Sequence, residues 1–344
     1  MNSIRFIAGK VNIRLWIVPL LIAYVTVVAI IVWSMPRWLP SGLELHLLGK
    51  TLDAATLSAK LVSIGLMPLI ILPAIFVGEL AVVGWADSSL RQFLVKPSRS
   101  VMTDLTIYLL RLTHLFEIIA LVFSLGVAAI SADYIRRQVA DATGLSLSVA
   151  GLPLVAQVPL LFLVYTFFDY WSHRTDHSSR FWPLHRYHHA AKDFCILNSC
   201  RAHPAAFTGL IIAGATVLVG GSATAFVITG LFVGALRFFI HSRVNFDFGW
   251  VGRTLIQSPR HHRLHHALEI TEGVNFSLCP LWDRLFGTWR EVPQADWVIG
   301  VSTDYQHGGL ITADIWRDYR EFWAGLLAPL AKLIPNRAGV PARG

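Results

Sequence analysis

Long uncharged runs set the pattern of this chain. Residues 15–34 (LWIVPLLIAYVTVVAIIVWS) carry no charge, and at about 1.5 Å per residue such a helix crosses a bilayer core. Residues 61–78 are also uncharged, and the apolar run continues past Glu79 to Ala86. A third apolar stretch, 105–132, carries Arg111, His114 and Glu117 at three-residue spacing near its start. A fourth, 142–168, is uncharged throughout, with Pro153 and Pro159 inside it. The uncharged run 204–236 would be about 50 Å long as one straight helix, too long for an ordinary span, so a hairpin turning at Gly220-Gly221 is expected. In residues 315–335, Trp316, Tyr319, Phe322, Trp323, Leu326, Leu327 and Leu330 recur at helical spacing. That pattern predicts an amphipathic helix lying on the membrane, with a lid over the preceding domain as the other reading. The segment after the first run (MPRWLP) lacks small cleavage-site residues, so that run is expected to be a retained helix and not a signal peptide.

These elements predict an all-α integral membrane bundle: four long transmembrane helices, a short hairpin and a helical domain on the cytoplasmic face. The expected organisation is an N-terminal transmembrane region over 1–145, a central domain over 146–290 and a polar C-terminal segment over 291–344.

Composition agrees. Hydrophobic residues make up 54% of the chain and charged ones 15%, with a mean hydropathy of +0.55, far from a soluble domain. Arg5, Lys10 and Arg14 precede the first run, and Arg91, Lys96 and Arg99 fall in the next polar loop. Both regions are therefore expected in the cytoplasm. Two crossings later the fourth run ends on that side, in an aromatic belt of Tyr165, Phe167, Phe168, Tyr170 and Trp171. The net charge of +8 then faces anionic lipid and calls for no nucleic acid. Arginine outnumbers lysine 23 to 6 among many alanines, which points to a bacterial source and an inner membrane.

The candidate chemistry begins directly after that belt. Eleven of the 14 histidines lie between His173 and His266. They form His173-Arg-Thr-Asp-His177, His185-Arg-Tyr-His188-His189 and His262-Arg-Leu-His265-His266, the last preceded by His261. Residues spaced i, i+3 and i+4 share a helix face, so each motif aims two or three imidazoles at one point. Neutral imidazole is the commonest nitrogen ligand of transition metals. Eight such groups exceed the needs of one tetrahedral zinc, so two metals in one imidazole cage are expected. Cys195, Cys200 and Cys279 have no ribbon or iron–sulfur spacing. No Gly-rich phosphate loop or internal repeat is present.

The three histidine motifs in this order, with Arg201-Ala-His203-Pro204 and WDRLFGTW at 282–289, resemble the fatty acid hydroxylase (sterol desaturase) superfamily over about residues 150–290. Only seven residues separate His177 from His185, which favours the hydroxylase branch over the acyl-lipid desaturases. The resemblance implies a non-haem centre of two iron ions that activates O2 and hydroxylates, or desaturates, a lipid C–H bond. Its ligand pattern falls on His173, His177, His185, His188, His189, His262, His265 and His266, with His203 and His241 as additions. Asn245 stands four residues after His241, where many relatives carry a second histidine. His261 is expected beside the ligands and not among them.

The implied substrate is an acyl chain, a sterol-like ring or an alkyl ether lipid. The implied electron donor is a ferredoxin, or a b-type cytochrome with its reductase. Asp169 and Asp176 are expected to orient ligand imidazoles. Asp283 is expected to hold Arg284 or a turn, and Asn275 to cap a turn or approach the metal. The Arg111/His114/Glu117 stripe is expected to form a salt bridge. Two other classes stay open: a histidine-rich metal-binding or transport protein without oxygenase activity, and a membrane cytochrome with bis-histidine haem.

Overall fold

The computed structural model describes residues 17–331 apart from 41, 48–49, 55–64, 96, 124–137, 139–140, 145–146, 210, 213–218, 269, 271–272, 292–296, 302–304 and 306–310. Helix α1 (Ile17–Ser34) is apolar along its length. The alternation in Leu43-Glu-Leu-His-Leu47 opens a small antiparallel hairpin, β1 (Glu44–Leu47) with β2 (Lys50–Asp53). A single π-helical turn at Met67–Ile71 runs into α2 (Leu72–Val83). Ser88 and Ser98 then cap α3 (Ser89–Leu94) and α4 (Arg99–Leu112) by accepting the Arg91 and Val101 amides at 3.2 and 3.1 Å.

The third apolar run is not one helix. His114 sits at φ +57°, which a right-handed helix cannot continue. The chain therefore restarts as α5 (Leu115–Phe123). Of the expected polar stripe, Arg111 donates from Nε to the Cys200 carbonyl at 3.1 Å and lies over the Phe116 ring, while the Glu117 side chain lies outside the described residues.

Two strands of two residues each, β3 (Leu147–Ser148) and β4 (Val219–Gly220), pair in parallel. They bring together the starts of two long apolar helices, α6 (Leu154–Asp176) and α8 (Ala223–Ile240). Among the described residues these two are long and apolar enough to cross a membrane; the stretch Met67–Val83 is apolar but shorter. Val155, Leu160, Ile228 and Phe232 point outward on α6 and α8, unlike the helices of a soluble core. α8 starts directly after Gly220-Gly221 with Ser222 as its cap. The second arm of the expected hairpin is thus a full helix, and much of the first arm, 213–218, lies outside the described residues.

Three short helices carry the second and third histidine motifs and their support. α7 (Trp182–His189) follows α6 after a turn. After α9 (Gly249–Thr254), α10 (Pro259–His265) is capped by Ser258, and α11 (Pro280–Leu285) opens the WDRLFGTW segment. The last helix, α12 (Ile311–Ala331), is amphipathic as expected. Its inner face docks on α7: Phe322 packs with Leu184 and Ala205, and Arg186 pairs with Asp318 and Glu321. Trp316 and Leu327 stay exposed, so one helix serves as a brace inside and an apolar surface outside. The molecule is mostly helical, as expected.

Candidate metal centre

α6 ends in His173 and Asp176, with His177 as its C-cap. α7 adds His185, His188 and His189, and α10 adds His262 and His265 with His266 as C-cap. His241 caps the end of α8. The fold gathers the nine histidines, without Asp176, into two adjoining groups that could each hold a metal ion. In each group the ligand atoms all lie within 4.8 Å of one another. The first group is His173, His177, His185, His189 and His265; the second is His188, His241, His262 and His266.

The groups interlock. In α7 the i, i+4 pair His185 and His189 serves the first group and His188 the second. In α10 the roles reverse: His262 and His266 serve the second group and His265 the first. The two meet where the His189 and His266 rings stack at 4.3 Å.

The tautomers follow from the partners. A backbone carbonyl can only accept, so an imidazole Nδ1 facing one must carry the proton. His173 donates to Phe276 O, His188 to Arg201 O, His241 to Arg237 O and His265 to Val274 O, at 2.7 to 2.8 Å. Each Nε2 is then a bare lone pair aimed inward. Nε2 of His173, His177 and His265 has no partner, and the Nε2 atoms of His241 and His262 face each other at 3.0 Å. Buried acceptors without donors are costly, and a cation shared between such lone pairs removes the cost. Burial, with repulsion among neighbouring imidazoles, holds His185, His189, His262, His265 and His266 well below the usual histidine value. Burial likewise lowers His188 to about 3. These rings are neutral at pH 7, the protonation state that a metal requires.

Backbone segments that receive the Nδ1 protons are themselves pinned. Asp283 accepts the Phe276 and Ser277 amides and the Thr288 hydroxyl at 2.7 to 2.9 Å. Trp282 bonds Thr166 on α6 at 3.0 Å. The WDRLFGTW motif is therefore the clamp on the 273–278 strap against which His173 and His265 rest. A Cβ on Gly273 (φ +68°) would meet the Phe276 ring at 2.8 Å and His177 Nδ1 at 3.0 Å, so this position excludes other side chains. Asn275, at φ +55°, closes on both backbone groups of Arg290 and does not approach the histidines.

The second group rests on Arg201. Its carbonyl takes the His188 proton, while its buried guanidinium binds Asp104 Oδ1 from Nε and Ser100 O from Nη2, both at 2.5 Å. Neither Asp104 nor the side-chain role of Arg201 was singled out in the sequence. A charged residue beside an apolar run, as Asp104 is, was the available signal.

Several expected site residues lie elsewhere. His203 is outside both groups: Nε2 donates to Ile315 O at 2.8 Å and Nδ1 accepts the Ala205 amide at 3.0 Å, so neither nitrogen is left for a metal. Burial lowers it to about 4. His261 bonds Ser258 Oγ at 2.7 Å and lies against Trp289. Asn245 is exposed. Asp169 pairs with Arg237 and not with an imidazole. Asp176, by contrast, does lie near a grouped imidazole, 3.7 Å from His185 Nδ1, and takes the Thr208 hydroxyl at 2.7 Å.

Residues 158–288 match the family model for fatty acid hydroxylase. The chain carries a fatty acid hydroxylase domain. No curated protein and no solved structure matches the chain. The hydroxylase domain begins inside α6 and ends at Thr288. It thus holds all nine grouped histidines together with the Asp283 clamp that supports them.

Proposed function

We propose that this protein is a membrane-bound, non-haem di-iron enzyme that hydroxylates a lipid C–H bond with O2 and externally supplied electrons. The observation that carries this reading is a pair of adjoining all-imidazole groups opening on a cavity between two membrane-length helices. That cavity, of about 220 Å³, reaches His173, His185, His188, His241 and His262. Its other walls include Leu184, Ile212, Ile240 and Leu278. The volume suits a short alkyl segment and not a whole lipid.

Imidazoles of this kind suit iron, and an iron pair supplies the oxidising power that redox-inert zinc lacks. The first group holds the five histidines His173, His177, His185, His189 and His265; the second holds the four histidines His188, His241, His262 and His266 and leaves more room for oxygen. The chain's own contribution is orientation. Carbonyls fix four imidazole tautomers, and the apolar wall positions an alkyl segment and excludes water. The overall change inserts one oxygen atom of O2 into the C–H bond and reduces the other to water with two electrons and two protons. A ferredoxin, or a b-type cytochrome with its reductase, fits the donor role. An acyl chain, a sterol-like ring or a carbon beside an ether oxygen fits the substrate. The charge distribution supports a centre on the cytoplasmic side, which a reporter fused after residue 200 would read.

The test compares lipids from cells with and without the gene under 18O2, alongside iron analysis of the purified chain. A lipid gaining one labelled oxygen, with about two irons per chain, is expected. Unchanged lipids in cells that express iron-loaded protein would overturn the reading.

A further inference from the structure

Two arginines line a second cavity that shares no lining residue with the α6–α8 cavity. Arg243 follows His241 by two residues and Arg263 follows His262 by one. Both line a cavity of about 910 Å³ together with Lys192, Phe194 and Trp297. Arg260 stands near enough to repel Arg263.

The two guanidinium groups lack a direct carboxylate partner. Nε of Arg243 and Nε of Arg263 are buried without a hydrogen-bond partner. Arg263 makes one long side-chain bond, Nη2 to Ser242 O at 3.3 Å, and lies over the Phe194 ring. Glu79 is close, but its oxygens are engaged by the Ser89 amide and hydroxyl and by the Arg243 amide, at 2.7 to 2.8 Å. Asp87 and Asp193 are also on the wall. Among the described residues no carboxylate forms an ion pair with Arg243, Arg260 or Arg263. A buried donor left unmade is costly, and guanidinium forks match the oxygens of a phosphate.

The rim decides the source of that phosphate. Val82, at the end of α2, and Val298 line the cavity yet remain 67% and 60% exposed, and Trp85 beside them is also exposed. Apolar and Trp side chains around a basic pocket, where an apolar helix ends, belong at the headgroup level of a bilayer. We propose that the Arg243/Arg263 cavity binds the phosphate of a membrane-lipid headgroup. Phe194 forms its inner wall and also stacks on the His241 ring, 5.7 Å away at 22°, so the bound headgroup sits one ring away from the second histidine group. The site stands on its own geometry and does not depend on the reaction proposed above.

Thermal unfolding of the purified full chain in neutral detergent tests it, with dioctanoyl phosphatidylglycerol, dioctanoylglycerol and inorganic phosphate as separate probes. The expected result is a saturable rise in Tm with the phospholipid and none with dioctanoylglycerol. The half-saturating concentration should increase at least tenfold in the Arg243→Gln/Arg263→Gln protein. Arg243→Gln alone serves if the double variant does not fold, and Arg263→Lys should keep part of the affinity. Saturation by inorganic phosphate at the same concentration would identify free phosphate and overturn the lipid assignment. No saturable rise, or one that the arginine variants leave unchanged, would overturn the site itself.

Discussion

His188 shows how a single ligand position is built. Its Nδ1 proton goes to the Arg201 carbonyl, so Nε2 is presented as a lone pair to His241, His262 and His266. Replacing His188 or His265 with Ala should reduce bound metal to half or less, read by elemental analysis of the purified chain. His203→Asn should leave metal content unchanged, since both of its ring nitrogens are already engaged. The sequence could not separate these cases. His203 lies in a motif that resembles the family as well as His188 does, and only the positions of Ile315 and Ala205 reveal that its nitrogens are taken. Beneath His188, Asp104→Asn would leave the buried Arg201 charge uncompensated, at a cost of about 3–5 kcal/mol. Denaturant unfolding should show that loss, and Arg201→Met in the same protein should recover part of it.

At the scale of helices, the motif spacing was readable and its consequence was not. HxxHH predicts three imidazoles on one face, and α7 and α10 each present them. Which group each imidazole joins depends on how the two helices approach, and sequence periodicity carries no such information. The third apolar run misled for a local reason, since hydropathy does not register the left-handed turn at His114 that splits it. For residues 315–335 the amphipathic pattern was correct, and of its two expected partners the structure shows the preceding domain. The inner face meets α7, where Phe322 is buried against Leu184, Phe181 and Phe207. Phe322→Ala should destabilise this docking by about 3–5 kcal/mol. Hydrogen exchange should then rise along α7 and α12 while α8 stays protected; unchanged exchange in α7 would show that the brace carries no weight.

For the whole molecule, burying so many imidazoles links stability to pH with a definite sign. His188 is lowered from 6.5 to about 3 by burial, and its neighbours are displaced the same way. Between those values the unfolded chain takes up protons that the folded chain refuses, so unfolding becomes easier as pH falls. Metal-free protein should keep a constant Tm above pH 6.5 and lose stability steadily below it. Each displaced histidine contributes up to about 1.4 kcal/mol per pH unit. A Tm that rose on acidification would contradict this burial. Two of the expected spans were legible as uncharged runs, and α6 and α8 form there, long and apolar enough to cross a membrane. The clamp around Asp283 was legible only as a motif, because what it holds, the 273–278 strap, comes from a different stretch of chain.

The reversed sharing of α7 and α10 has a consequence for metal loading. Each of these helices reaches into both groups, so with an ion in each, releasing one would free side chains on a helix that still grips the other. Occupancy of the two positions should therefore be coupled. Under stepwise chelation, native mass spectrometry should show chains with both ions or neither, with the singly loaded form scarce throughout. In the His188→Ala protein, which loosens the second group alone, the five-histidine position should lose affinity too, even though none of its own ligands has changed.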